Sequence, residues 1–165
     1  MALTQISVQR FSVTSARSFE SVVAAIDAVL SHPDPSRFSM EIAAAVTWAS
    51  TETVIGRMLG ISGFMEFIRF DLGAILRKES GQAGPKNLRL VIGNPLVMKE
   101  MAKHVPEAGS YAPVSVLIDE RPDGVHLSYD TMASLLAPYG NAEALDVARA
   151  LDSQIERLLT EAAGL

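Results

Sequence analysis

The residues best suited to chemistry surround one short motif, Gly93-Asn94-Pro95, which follows an apolar run ending at Ile92. An apolar run that stops at Gly-Asn-Pro predicts a strand, a sharp turn and a helix start, with Asn94 as the N-cap. The free backbone N–H groups of such a helix start can bind an anion or a carbonyl oxygen. The motif lacks the second glycine and the Lys-Ser/Thr pair of a Walker loop. A plain helix cap is the simpler interpretation.

Two charged residues upstream of this motif, Arg69 and Asp71, stand two positions apart on a predicted strand. Residues with this spacing share one face of a strand, and here the same face carries Met65 and Phe67. Charged side chains beside large apolar ones indicate either a buried ion pair or the polar end of a ligand pocket. The pattern is compatible with both.

Downstream of the motif, Met98, Met101 and His104 recur at intervals of three, which places them along one helix face. Histidine and methionine serve as axial ligands of some haems, but we favour a core-facing methionine stripe with a histidine near the helix end. His104 is the best single candidate for acid–base chemistry. His32, His104 and His126 lack the spacing of a metal-ligand set, so the sequence predicts neither a metal site nor a cofactor.

Two tyrosines, Tyr111 and Tyr129, lie at the ends of predicted elements, where their hydroxyl groups can line a cleft. Because binding residues concentrate at strand ends and turns, we expect the polar side chains named so far to converge near the Gly-Asn-Pro turn. The predicted ligand-binding set is Arg69, Asp71, Asn94, His104, Tyr111 and Tyr129.

Composition excludes several functional classes. The chain has 165 residues, is 48% hydrophobic and carries a net charge of −5, as expected for one ordinary globular domain rather than a nucleic-acid-binding protein. With no cysteine there is no disulfide, thiol nucleophile or thiolate metal site. The sequence shows no signal peptide and no apolar run of membrane-spanning length, so we expect no membrane contact and a cytoplasmic location.

Hydrophobic periodicity predicts strands alternating irregularly with helices. The predicted strands are residues 5–14, 64–71, 87–92, 114–118 and 125–129, and Leu72 to Leu76 extend the second of them. The predicted helices begin after the N-caps Ser18, Asn94 and Asn141, with a short one at 131–137. Residues 36–60 form a short helix or strand and then a helix capped by Thr51 and ended by Gly60. Arg121-Pro122-Asp123-Gly124 predicts a hairpin turn.

This order of elements favours an α+β fold with a largely antiparallel sheet, because a doubly wound parallel sheet would need regular strand–helix alternation. We find no internal repeat, linker or low-complexity tract. The sequence therefore predicts a single domain over residues 1–165.

Several short motifs together resemble a known family. In order they are Gly63-Phe64-Met65-Glu66-Phe67, Arg69-Phe70-Asp71-Leu72-Gly73, Ile92-Gly93-Asn94-Pro95, Met101-Ala102-Lys103-His104, Tyr111-Ala112-Pro113 and Tyr129-Asp130. The set is similar to the bacterial and archaeal domain-of-unknown-function family 302, in a longer subgroup, over about residues 15–160. The resemblance implies a TATA-binding-protein-like fold type, with a curved antiparallel sheet covered by helices on one side, and homodimers. Leu72 departs from the histidine expected at that position of the subgroup.

The resemblance brings no catalytic residues with it, so the function rests on the residues themselves. Our leading hypothesis is a non-enzymatic bacterial homodimer that binds or senses a small anionic or apolar ligand. An alternative is a hydrolase- or lyase-type enzyme with His104 as acid or base and Arg69 as anion clamp. A third is a structural or interaction protein that dimerises through an exposed apolar sheet face.

Overall fold

One antiparallel sheet of five strands organises the computed structural model, which describes residues 5–81 and 84–165. The strands are β1 (Arg10–Ser15), β2 (Met65–Asp71), β3 (Asn87–Gly93), β4 (Val114–Arg121) and β5 (Gly124–Asp130). They lie in the order β1-β5-β4-β3-β2, and each neighbouring pair is antiparallel. The predicted α+β class with an antiparallel sheet is confirmed, and so is the hairpin between β4 and β5.

The described residues also form seven α-helices and two short 3-10 segments. The helices are α1 (Phe19–Asp27), α2 (Pro35–Ala44), α3 (Trp48–Met58), α4 (Leu72–Ser80), α5 (Pro95–Ala102), α6 (Met132–Leu136) and α7 (Ala142–Ala163); the 3-10 segments are Pro106–Ser110 and Ala137–Tyr139. The predicted caps Ser18, Asn94 and Asn141 each accept a hydrogen bond from the first turn of their helix. No helix within the described ranges has the length and hydropathy needed to cross a membrane.

Residues 36–60 form two helices, not the uncertain helix or strand followed by one helix that the sequence suggested. Thr47, rather than Thr51, caps α3, because it exchanges hydrogen bonds with Ser50 in a capping box. Gly60 is not the left-handed residue that ends this helix, since α3 stops at Met58 and Leu59 is extended. Gly60 instead packs against the backbone that follows α1, where a Cβ would lie 2.4 Å from the Val29 carbonyl oxygen.

The segment after Asp71 is a helix, and the predicted extension of β2 through Leu76 is wrong. Asp71 accepts a hydrogen bond from the backbone N–H of Ala74 at 2.8 Å and so caps α4. A side chain that satisfies a free N–H group favours a helix start over continued strand pairing. The alternating apolar residues of this segment are therefore helical.

The hydrophobic core lies between one face of the sheet and the helices packed on it. Alternate residues of β3, β4 and β5 face inward, as the period of two requires. These buried residues are Leu88, Leu90, Ile92, Val114, Val116, Ile118, Val125, Leu127 and Tyr129. Helix α7 crosses them and contacts β1, β5, α1, α5 and α6. The opposite face is mostly polar, with Arg10 paired to Asp130 at its β1–β5 edge.

Candidate functional site

An apolar cavity of about 230 Å³ lies beside the Gly-Asn-Pro turn, between α5 and the adjoining ends of β3 and β4. Its lining residues are Phe38, Phe67, Gly93, Asn94, Pro95, Val97, Met98, Met101, Ala112, Pro113, Val114 and Leu151. Concave, mainly apolar sites with few polar groups are the usual form of small-molecule sites. This cavity is therefore the candidate functional site.

Asn94 ties the cavity to the rest of the fold through both ends of its amide. The Asn94 Oδ1 accepts a hydrogen bond from the Leu96 N–H at 2.9 Å, and the Nδ2 donates to the Gly63 carbonyl at 3.0 Å. The first bond caps α5 and the second holds the turn that precedes β2. Asn94 is thus a positioning residue whose polar atoms are largely satisfied within the protein.

Aromatic and sulfur-containing side chains form the walls. The rings of Phe38 from α2 and Phe67 from β2 meet edge to face, with centroids 6.1 Å apart and planes at 84°. The strand register shifts between Glu66 and Ile68, and Phe67 lies within this bulge. A bulge redirects a side chain relative to the regular pleat. This explains why Phe67 lines the cavity, although strict alternation places it beside Arg69.

Space on the sheet side of the cavity depends on Gly93. A Cβ at this position would stand 3.1 Å from the Pro113 Cβ and 3.7 Å from the Phe67 ring. Contacts of 3.1 Å are tighter than carbon atoms adopt at optimal packing. The glycine of the Gly-Asn-Pro motif therefore allows Pro113 and Phe67 to pack close to the backbone at this point of the cavity wall.

The six residues predicted from sequence do not gather in this cavity. Of the six, Asn94 alone is among its lining residues as the structure describes them. Arg69 and Asp71 do not form an ion pair with each other: Arg69 binds Asp27 and Glu66, whereas Asp71 caps α4 and accepts from Arg77 at 3.0 Å. Both residues are exposed, so the buried ion pair proposed for them is wrong. Asp71 lines a separate groove together with Phe19 and Leu88, so the pocket-end alternative stays a prediction for it.

His104 is exposed just beyond the end of α5, and it is not among the cavity-lining residues. Met98 and Met101 of the same predicted stripe do line the cavity, and Met101 is fully buried. The core-facing interpretation of the stripe is therefore confirmed for Met101, whereas Met98 is partly buried at the cavity wall. Pockets for drug-sized ligands measure roughly 300–1,000 Å³, so a cavity of about 230 Å³ does not hold a porphyrin.

The two predicted tyrosines have unrelated surroundings. The Tyr111 hydroxyl lies 3.0 Å from that of Tyr139 at the surface. Tyr129 is buried in the core, where its hydroxyl donates to Asp152 at 2.6 Å. Burial and this hydrogen bond raise the pKa of Tyr129 well above its usual range. Tyr129 therefore supports the fold from inside the protein and does not reach the cavity.

Comparison with known proteins shows the family of this chain. Residues 38–162 match the family described as "Domain of unknown function DUF302". The chain belongs to the DUF302 family. The match covers the cavity and each of the six predicted residues, so the resemblance seen in the sequence motifs is confirmed.

A solved DUF302 structure shares the fold. The "crystal structure of uncharacterized conserved protein DUF302 from Bacillus stearothermophilus" is similar with a TM-score of 0.65 over 93% of this chain and 97% of that chain. The two sequences are 8% identical, so the similarity shows a common fold alone. No curated protein matches the chain.

This DUF302 domain also brings together three residues that the sequence kept apart. Asp27, His32 and Glu66 offer ligand-type atoms that all lie within 4.8 Å of one another. Their separation along the chain hides them from any search for metal-ligand spacing. The one visible signal was His32 itself, a polar residue beside Pro33 in the loop between α1 and α2.

Proposed function

We propose that this DUF302 domain binds a small apolar molecule in the cavity beside Asn94 and catalyses no reaction on it. The observation that carries the proposal is the cavity itself, about 230 Å³ in volume and walled by phenylalanine, methionine, valine and proline side chains. An engineered cavity of about 150 Å³ with a similar apolar lining stays dry and binds benzene. A single aromatic ring or a short acyl chain matches the volume available here.

The chemistry of the lining favours binding over catalysis. Among the described residues, those that line the cavity include no acid, base or nucleophile. The side-chain amide of Asn94, which is part of the lining, already hydrogen-bonds to Gly63 and Leu96. A ligand would therefore be recognised by shape and apolar contact, at about 25 cal/mol per Å² of surface removed from water. Within our first hypothesis, this favours the apolar ligand over the anionic one.

A titration with small apolar probes tests the proposal. Benzene, indole and 1-hexanol are added to the ¹⁵N-labelled protein, and amide shifts are followed by NMR. We expect saturable shifts centred on α5 and on the turn at Asn94. The variant Val97→Phe fills the cavity with a larger side chain from its own wall and should abolish these shifts while the protein stays folded.

The control for Val97→Phe is Met40→Phe, which places the same ring on an exposed position of α2 outside the lining. This variant should bind the probes as the natural protein does. Shifts that do not saturate, or that survive in Val97→Phe, would contradict the proposal. If the probes bind as expected, a mass spectrum of molecules that co-purify with the protein would identify the natural ligand class.

A second function, self-association, is favoured by an apolar surface at the β2 edge of the sheet. Ile68 and Phe70 of β2 are 48% and 42% exposed, and Ile75 of α4 is 67% exposed. Strand β2 is also the last strand of the sheet, and beyond the bridge between Ser31 and Met65 no further strand of the described residues covers its outer edge. An exposed apolar edge strand is a ready surface for pairing with another chain. We propose that two copies associate here.

Light scattering at micromolar concentration tests this second proposal. We expect a dimer for the natural protein and a monomer for the double variant Phe70→Glu, Ile75→Glu. The matched control is Ile61→Glu, which places the same charge on a residue that is 87% exposed in the turn before β2. A monomeric natural protein, or equal behaviour of both variants, would exclude this interface.

A further inference from the structure

Apart from the cavity lining, three side chains form a second group, the Asp27–His32–Glu66 cluster. Asp27 is the last residue of α1, His32 lies in the following loop, and Glu66 is in β2. The backbone holds them in register, since Ser31 forms a parallel bridge with Met65 and its carbonyl accepts from the Glu66 N–H at 2.9 Å. The three side chains therefore meet because main-chain pairing brings the loop to the strand.

The spacing within the cluster is too long for direct hydrogen bonds. His32 Nδ1 lies 3.7 Å from Glu66 Oε2, and His32 Nε2 lies 3.8 Å from Asp27 Oδ1. Hydrogen bonds between such atoms span roughly 2.7–3.2 Å. Two ligands of a zinc ion, each bonded at roughly 2.0–2.2 Å, stand roughly 3.3–3.8 Å apart. An imidazole binds an ion through one nitrogen, and one ligand atom from each of the three residues lies within 4.8 Å of the other two. The imidazole is thus placed as a co-ligand of the carboxylates and not as their hydrogen-bond partner.

Arg69 hydrogen-bonds to both carboxylates of the cluster but does not use all of their lone pairs. Its Nε donates to Glu66 Oε1 at 2.9 Å, and its Nη1 donates to Asp27 Oδ2 at 3.3 Å. Its Nη2 donates to the other oxygen of each carboxylate, Glu66 Oε2 and Asp27 Oδ1, which are the inner oxygens that face His32. A carboxylate oxygen has two lone pairs, so each inner oxygen that accepts from Nη2 keeps one for a further partner. With a neutral imidazole, two carboxylates and one guanidinium leave a net charge of −1.

We propose that the Asp27–His32–Glu66 cluster binds one divalent transition-metal ion, with Zn²⁺ the best fit, and that Arg69 orients the two carboxylates from outside the coordination sphere. Mixed imidazole and carboxylate donors favour zinc over calcium or magnesium, which take oxygen ligands. The Glu66 side chain is only 9% exposed, whereas that of His32 is 44% exposed. The ion therefore has a buried anchor and one side open to water, as three-ligand zinc sites do.

Calorimetric titration of the chelator-treated protein with Zn²⁺ tests the proposal, and Co²⁺ absorption reports the ligand geometry. We expect one ion per chain and visible absorption bands for a four- or five-coordinate Co²⁺ ion. His32→Ala and Glu66→Gln should each weaken binding by more than about tenfold, since even supporting residues of metal sites change affinity by 10- to 100-fold. The His32 side chain is 44% exposed, so His32→Ala should fold and can test the proposal even if Glu66→Gln unfolds the protein.

The controls are the other two histidines. His104→Ala removes an exposed histidine, and His126→Ala removes one that lies 2.9 Å from the carboxylate of Asp123. Both variants should bind Zn²⁺ as the natural protein does. Absence of stoichiometric binding, or binding that His32→Ala leaves unchanged, would overturn the proposal. Loss of binding in His126→Ala would assign the ion to the Asp123 pair instead.

Discussion

The hydroxyl of Tyr129 donates to Oδ1 of Asp152 at 2.6 Å in the protein interior. The same carboxylate accepts the backbone N–H groups of Met132 at 2.7 Å and Ala133 at 3.0 Å. Thr131, the N-cap of α6, makes no side-chain cap bond of its own. A carboxylate from α7 thus caps α6 and bonds to β5, so that three elements share one buried polar centre.

Tyr129→Phe should lower the free energy of unfolding by about 1–3 kcal/mol, because it leaves a buried carboxylate oxygen without one of its donors. Urea unfolding measures the change. The control, Tyr139→Phe, removes an exposed hydroxyl that bonds only to Tyr111 in the described structure, and we expect it to be nearly neutral. Equal effects of the two variants would show that the buried bond contributes nothing.

The raised pKa of Tyr129 predicts a loss of stability at alkaline pH. An unfolded tyrosine ionises near pH 10, whereas burial and the bond to Asp152 keep the folded one protonated. Above about pH 10 the unfolded chain therefore binds fewer protons, and stability falls by up to about 1.4 kcal/mol per pH unit. Unfolding measured between pH 9 and pH 11 should show this slope, and Tyr129→Phe should make it shallower, leaving the contribution of Tyr139, whose pKa is also raised.

Tyr139 provides an internal comparison in the same titration. Its hydrogen bond with Tyr111 raises the pKa of Tyr139 to about 12. In the folded protein Tyr139 should therefore ionise before Tyr129, and the loss of this part of the tyrosinate absorbance in Tyr139→Phe identifies it. Ionisation of Tyr129 before unfolding would contradict its placement in the core.

Asn94→Ala should destabilise the protein more than Asn141→Ala does. Both residues cap a helix, and loss of either cap costs about 1 kcal/mol. Asn94 also donates to Gly63, which adds about 0.5–1.5 kcal/mol. Urea unfolding of the two variants gives the difference directly. If they were equal, the bond to Gly63 would have no net effect on stability.

Gly60→Ala and Gly56→Ala should change stability in opposite directions. A Cβ at Gly60 meets backbone atoms of Val29 to Ser31 at 2.4–2.6 Å, so the turn must shift, at a cost of about 1–3 kcal/mol or more. Gly56 lies inside α3 with open space around it, and alanine there should stabilise by about 0.5–1 kcal/mol. Thermal unfolding of both variants checks the two signs.

Local patterns predicted much of the fold. An apolar run ending at Ile92 located β3, period-two alternation located β4 and β5, and polar residues before apolar runs located the caps at Ser18, Asn94 and Asn141. These features depend on neighbours within a few residues, which a sequence displays directly. The segment after Asp71 was wrongly predicted as strand because its apolar residues fit a strand pattern. The Asp71 carboxylate caps a helix there, and this cap favours helical structure.

The site was less predictable because its members are joined only by tertiary packing. Phe38 and Phe67 meet across separate elements, and a bulge that no local pattern announces turns Phe67 into the cavity. Arg69 was recognised as a candidate, but its partners are Asp27 and Glu66 rather than Asp71. Asn94 was the one residue whose local role, a helix cap, also fixed its place beside the cavity.

Among the described strands β1 pairs only with β5, so that Arg10 meets a residue 120 positions further along the chain. During synthesis β1 therefore has no partner strand until β5 has been made. Closing so long a loop is entropically costly, and contacts distant in sequence slow folding. We expect the sheet to assemble from β3, β4 and β5, with the amides of β1 protected last in pulsed hydrogen exchange. In a nascent chain, β1 would thus stay without a partner strand until synthesis had passed β5.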